Sequence, residues 1–219
     1  MVLFTKSYKE DESFHVLFDE NEAAQNLGVA LRRRLIHRPV GTEIIFVCVG
    51  TDRSTGDALG PLVGSYLAEV NCNTFVYGTL TQPVHAVNLA ETIAVIEKTH
   101  ISPFVVAVDA CLGQLSSVGQ ITLSDGALQP GTGVHKKLPQ IGHVHITGIV
   151  NVGGFMEYFV LQNTRLGIVV PMAKVIAEAI AWSMTGLTYA NVQDDVEMAL
   201  KKEVTNSRWG ALFRGKTAP

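Results

Sequence analysis

Two continuous apolar segments constrain the fold of this chain more than any other feature of its sequence. They are IIFVCV at residues 44–49 and FVVAV at residues 104–108, and β-branched residues dominate both. Strands that are apolar along their whole length are typical of parallel sheets with helices on both faces. The segments between and after these two strands must therefore supply the covering helices.

Helix-forming patterns do alternate with strand-forming ones along the chain. Pro61 predicts the first position of a helix, because a missing N–H is tolerated there, and another helical pattern begins at Pro171. Asn88 and Glu91 have the spacing of a capping box at the start of another helix. The alternation predicts an α/β fold with a mostly parallel sheet between two helical layers. An early helix is expected at 22–37, and further strands at 75–79, 119–123 and 143–150.

The length of 219 residues suits one large domain better than two. We expect a strand and helix extension at 1–40, the α/β domain at 41–186, and a C-terminal helix and tail at 187–219 that pack on the same domain.

The composition argues for a globular protein without a nucleic-acid or membrane partner. Hydrophobic residues make up 47% of the chain and charged residues 17%, and the formal net charge of −3 provides no general basic field. Residues 167–184 come nearest to a membrane span, but Pro171, Lys174 and Glu178 interrupt them. With only three cysteines, the sequence predicts a soluble cytoplasmic protein. It leaves homo-oligomerisation open.

Two acidic residues follow the two apolar strands. Asp57 lies in the turn after the first strand, and Asp109 directly follows the second. Ligands bind at the carboxyl edge of open α/β sheets, so the two carboxylates are candidates for facing each other across one crevice. Carboxyl groups in such proximity cannot both ionise easily, which separates them into a base and an acid. The alternative is that each acid only caps a helix or a loop.

The residues around Asp57 indicate a tight turn rather than a nucleotide site. Gly56 and Gly60 flank the acid, but neither a Walker A lysine nor a dinucleotide-binding glycine pattern follows. His135 lies in a later loop rich in glycine and proline, and with the two acids it would complete a divalent-metal site. Cys111 is interpreted as a buried, inert thiol rather than as a nucleophile.

Three sequence blocks resemble a known family of peptidases. They are GTDRSTGDALGP at 50–61, VVAVDA at 105–110 and SDGALQPGTGV at 124–134. Together they resemble the germination protease family of spore-forming bacteria, which degrades small acid-soluble spore proteins, and more closely its smaller YyaC-type relatives. They are also similar to hydrogenase maturation endopeptidases. The resemblance covers about residues 43–185 and implies an α/β/α sandwich with a mixed sheet.

The resemblance also implies roles for individual residues. The essential acids of the germination protease correspond to Asp57 and Asp109, which act there as an unusual aspartic pair. In the hydrogenase relatives the corresponding acids and a later histidine bind nickel, and His135 is the nearest counterpart of that histidine. These families carry an Asn where this chain has Thr51. Thr51 and the glycines of the two loops are expected to shape the substrate cleft: Gly56, Gly60, Gly131 and Gly133.

The sequence therefore predicts a sporulation-associated endopeptidase in the sporulating cell or spore core. Asp57 and Asp109 would hydrolyse a protein substrate, small acid-soluble spore proteins among them, without a cofactor. One alternative is a metal-dependent maturation-type peptidase with Asp57, Asp109 and His135 as ligands. Another is a catalytically silent binding or regulatory protein of sporulation.

Overall fold

A computed structural model describes residues 13–70, 74–131, 138–185 and 187. Within them the chain forms six strands and five α-helices, and a short 3-10 turn at Gly56–Ala58 leads directly into the second helix. The strands are β1 Phe14–Leu17, β2 Glu43–Cys48, β3 Phe75–Tyr77, β4 Pro103–Gly113, β5 Gln120–Asp125 and β6 Val144–Val152. The helices are α1 Ala23–Ile36, α2 Leu59–Val70, α3 Leu89–Thr99, α4 Glu157–Gln162 and α5 Leu166–Met184.

All six strands form one mixed sheet in the order β1-β5-β6-β4-β2-β3. β2 pairs in parallel with β3 and β4, and β4 pairs in parallel with β6. β5 runs antiparallel to both of its neighbours, β1 and β6. Four adjacent parallel strands thus form the part of the sheet that holds the two apolar segments.

Helices cover both faces of this sheet, which confirms the predicted three-layer arrangement. On one face α1, α2 and α5 pack on every second residue of the central strands, for example on Phe46 and Val106. On the other face α3 covers Ile45 and Val105 through Leu89 and Ile96. Residues on the two sides of each central strand therefore enter separate cores, as the fully apolar strand sequences require.

Helix α5 is long and apolar enough, by length and composition alone, to cross a membrane. In the fold, however, it packs against α1 and α2, with Met172, Ile176 and Ile180 fully buried. Its apolar character is that of an interior helix in a soluble domain.

Two predicted helix starts are wrong, and one predicted capping box does not form. α2 begins at Leu59, so Pro61 lies inside its first turn, where an N–H has no partner within the helix. α5 begins at Leu166 and contains Pro171 in its interior. Asn88 does not close a capping box, because its Oδ1 accepts from the backbone N–H of His85 at 2.8 Å.

The N-terminal segment is part of the same sheet and core. β1 pairs with β5, and α1 packs on α5. The predicted C-terminal helix and tail lie outside the described residues, apart from Leu187.

Candidate active site

Asp57 lies in the 3-10 turn that follows β2 and leads into α2. The backbone N–H of Thr51 donates to the carbonyl oxygen of Asp57 at 3.1 Å and closes the loop. A side chain at Gly60 would overlap the carbonyl oxygen of Val49, and one at Gly56 would come within 2.8 Å of Leu161. The two glycines therefore let the turn pack directly on the end of β2 and on α4.

Asp109 lies in β4, one residue beyond the last pair that β4 makes with β2. Its partner in register on β6 is Thr147. The Oδ1 atom of Asp109 accepts from the backbone N–H of Ala110 at 2.8 Å. The strand thus fixes the position of this carboxyl group, and the hydrogen bond fixes its orientation.

The two acids interact electrostatically. Burial raises the pKa of Asp109 to about 8, the Ala110 N–H opposes this change, and the charge on Asp57 adds to it. The Asp109 residue retains some exposed surface, whereas its carboxyl group is densely surrounded by protein. At neutral pH this carboxyl group therefore carries a proton.

The pKa of Asp57 is also raised, again by burial, while the hydroxyl group of Ser54 lowers it. Ser54 Oγ is buried and makes no hydrogen bond of standard geometry among the described residues. It therefore acts on Asp57 as a nearby dipole. The pair lies at the carboxyl edge of the sheet, as the sequence predicts, and neither acid is sealed from solvent.

Cys111 lies two residues beyond Asp109 on β4. Burial raises the pKa of its thiol to about 11, Thr147 opposes the rise through a hydrogen bond, and the charge of Asp109 adds to it. A thiol with this pKa stays protonated at neutral pH, which favours the inert interpretation.

His135 and Gly133 lie outside the described residues, so their predicted parts in a metal site and in the cleft stay predictions. Among the residues that the structure does describe, no group of three His, Cys, Asp or Glu side chains is placed to hold a metal ion. Gly131 has a φ of 70° at the end of the described part of its loop. Its place in the substrate cleft also stays a prediction.

A short apolar wall borders the turn that carries Asp57. Helix α4 contacts the 3-10 turn and the end of β6. Asn151 holds this arrangement together, because its Nδ2 donates to Thr164 Oγ1 at 3.2 Å. Phe155 and Phe159 are exposed beside it and line a shallow cavity.

Ser54, Thr147 and Asn151 were not singled out from the sequence. Thr147 is placed by the register between β4 and β6, and Asn151 by the approach of α4, neither of which leaves a local signal. Ser54 lies within the first block, between Thr51 and Asp57, and its position there was the only signal.

Comparisons with known proteins show the family to which the chain belongs. A family model described as "Protein of unknown function (DUF1256)" matches residues 15–179. "Uncharacterized protein YyaC" of Bacillus subtilis (strain 168) is 52% identical over 176 residues, which are 80% of this chain and 85% of that protein. Among solved structures, the [NiFe] hydrogenase maturation protease HycI from Thermococcus kodakarensis KOD1 is similar, with a TM-score of 0.46 and 19% identity. That similarity covers 72% of this chain and 99% of that one.

Proposed function

This chain belongs to the DUF1256 family of proteins of unknown function, and we propose that it is an endopeptidase that uses Asp57 and Asp109. The observation that carries the proposal is the coupling of the two acids, in which the charge on Asp57 contributes to the raised pKa of Asp109. Two carboxyl groups that share a crevice and divide one proton between them are equipped for acid–base hydrolysis.

The proton distribution assigns the roles. Asp57 is the less enclosed group and is the base that takes a proton from the attacking water. Asp109 is the acid, and because Ala110 N–H occupies its Oδ1, the proton resides on Oδ2. The water oxygen bonds to the carbonyl carbon of the substrate, the C–N bond breaks, and Asp109 supplies the proton that the leaving amine needs.

The substrate class is a protein chain, and we propose small acid-soluble spore proteins as the physiological case. The support is the similarity of the three sequence blocks to those of the germination protease. The same similarity supports action in the cytoplasm of the sporulating cell or in the spore core.

Substitution of each acid tests the mechanism. Asp57→Asn and Asp109→Asn should each reduce cleavage of a purified small acid-soluble spore protein by at least ~100-fold, because each removes one partner in proton transfer. Asp52→Asn is the matched control, since Asp52 is an exposed acid in the same loop. Thermal unfolding verifies that all three variants fold. Wild-type rates in either active-site variant would eliminate the aspartate-pair mechanism, whereas an inactive wild-type protein that binds the spore protein would indicate a silent binding module.

A metal-dependent peptidase is the second candidate, and the closeness of the two carboxyl groups favours it. Carboxylate oxygens are good ligands for hard divalent cations, and a cation between Asp57 and Asp109 would stabilise both ionised forms. The third ligand would be His135. The preferred mechanism needs no cofactor, so chelator treatment should leave cleavage unchanged. Loss of activity with EDTA, restored by one divalent metal, would support the second candidate.

A further inference from the structure

Strand β4 has two neighbours along its first half and only one along its second. Its pairing with β2 ends at Val108, opposite Cys48. Its pairing with β6 continues to Gly113. The segment Ala110–Gly113 therefore has one strand edge without a partner strand among the described residues, directly after Asp109.

Hydrogen bonds at three positions show which backbone groups face that edge. The carbonyl oxygens of Val105 and Gly113 accept from His143 and Gly153 on the β6 side. The carbonyl oxygen of Val108 accepts from Val49 on the β2 side. Odd-numbered residues thus point towards β6 and even-numbered ones towards β2. Since the register shift near Cys111 inserts its extra residue into β6 and not into β4, Ala110 and Leu112 point towards the open edge.

Three of the four groups at this edge are available. The N–H of Ala110 donates to Asp109 Oδ1. In the described part of the chain, the Ala110 carbonyl and the N–H and carbonyl of Leu112 have no hydrogen-bond partner. The residues of this segment are all partly exposed. An exposed strand edge of this kind is a template for pairing with another extended chain.

The strand that pairs with the first half of β4 turns away at this point. Val49 makes the last hydrogen bond to β4, and the N–H of Gly50 already donates to Val84 at 2.8 Å, on the far side of β2. The turn that carries Asp57 also contacts β4. The open edge is thus bordered by both acids.

We propose that an extended segment of the protein substrate pairs with Ala110–Gly113 as an added strand. This inference rests on the proposed function and specifies how its substrate is held. Paired strands lie ~4.8 Å apart, so the added backbone passes beside Asp109 and within reach of the turn with Asp57. Main-chain hydrogen bonds then supply affinity with little dependence on sequence. The substrate class is therefore an unfolded or locally extended protein segment, while helices and proline-rich segments are excluded.

Hydrogen–deuterium exchange on the full-length Asp57→Asn variant tests the pairing without turnover. The probes are a small acid-soluble spore protein and a reduced, carboxymethylated protein of unrelated sequence. Both should slow exchange at the Leu112 amide. The amides of β1, which has only one partner strand among the described residues, are the control and should be unaffected.

A pair of variants at one position tests the same edge by kinetics. Leu112→Pro removes the N–H, and Leu112→Ala keeps it while removing the side chain. The proline variant should raise KM by ~10-fold relative to the alanine variant with little difference in kcat, because both variants lose the side chain that packs on the core and only proline also loses the N–H. If the proline variant fails to fold, the exchange experiment decides alone.

The outcomes separate the two proposals. Cleavage of the spore protein with no protection at Leu112 would overturn the added-strand inference and leave the peptidase intact. Protection at Leu112 with no cleavage by the wild-type protein would overturn the peptidase and leave the binding edge. Neither cleavage nor protection by either probe would overturn both.

Discussion

The two halves of β4 differ in a way that separates stability from chemistry. Before Asp109 the strand lies between β2 and β6, and Val106 and Val108 have no exposed surface. From Asp109 onward it has one partner strand among the described residues, is partly exposed and carries the carboxyl group of Asp109. The first half anchors the strand in the core. The second half extends from that anchor, so an enclosed carboxyl group and an open strand edge are held in fixed positions.

The boundary between the halves depends on the close packing of Gly60 on Val49. Gly60→Ala should lower the free energy of unfolding by about 4 kcal/mol or more, because the added methyl group overlaps a backbone oxygen. Gly167→Ala is the matched control, since Gly167 is also helical but has open space around it. It should be neutral or stabilising by ~0.5–1 kcal/mol. Urea unfolding of the two variants measures the difference. Equal effects would show that the backbone at the end of β2 can move to accommodate the added methyl group.

The enclosed position of Asp109 predicts how stability depends on pH. The pKa of this group is raised from 3.8 to about 8, so between these values the folded protein holds a proton that the unfolded chain releases. The free energy of unfolding therefore falls as pH rises through this window, by an amount on the order of a few kcal/mol.

Asp109→Asn should remove most of that pH dependence and be more stable than the wild type near pH 8. Denaturant unfolding from pH 5 to 9 measures it. Asp57→Asn should lower the upper limit of this pH window, because it removes the charge that adds to the raised pKa of Asp109. The change should be small, since burial is the larger cause. A wild-type protein whose stability is flat over this range would contradict the enclosed, protonated acid.

The same group predicts the alkaline limb of the activity profile. In the proposed mechanism cleavage needs the proton on Asp109, so kcat/KM should fall about tenfold per pH unit above pH 8. Initial rates with the spore protein from pH 6 to 10 define this limb. A profile that keeps rising above pH 9 would show that Asp109 does not act as the acid.

The sequence predicts the closed half of β4 better than the open half. Continuous apolar residues mark 104–108 as an interior strand, but Asp109 and Gly113 have no strand signal, and the strand was expected to end at the acid. Its continuation depends on the register with β6, which is set by contacts between distant parts of the chain. The interior position of Pro171 was missed for a related reason, because packing of α5 on α1 and α2 compensates for the lost hydrogen bond.

The site could be predicted as far as its two acids. Both follow interior strands, so the edge that they occupy can be inferred from the fold class alone. The groups that change the pKa values in the site could not be inferred in the same way. The Ala110 N–H acts on Asp109 through the orientation of that side chain, and Thr147 acts on the thiol of Cys111 across a strand pair.

The pairing of β1 with β5 has a consequence for how the domain is assembled during synthesis. Ser13 and Ser124 bond through their hydroxyl groups although they are 111 positions apart, and α1 packs on the much later α5. β1 and α1 must therefore wait for partners that are translated far later, while the apolar side chains of Leu27 and Leu31 remain uncovered. The core around α1 is complete only when α5 has been made.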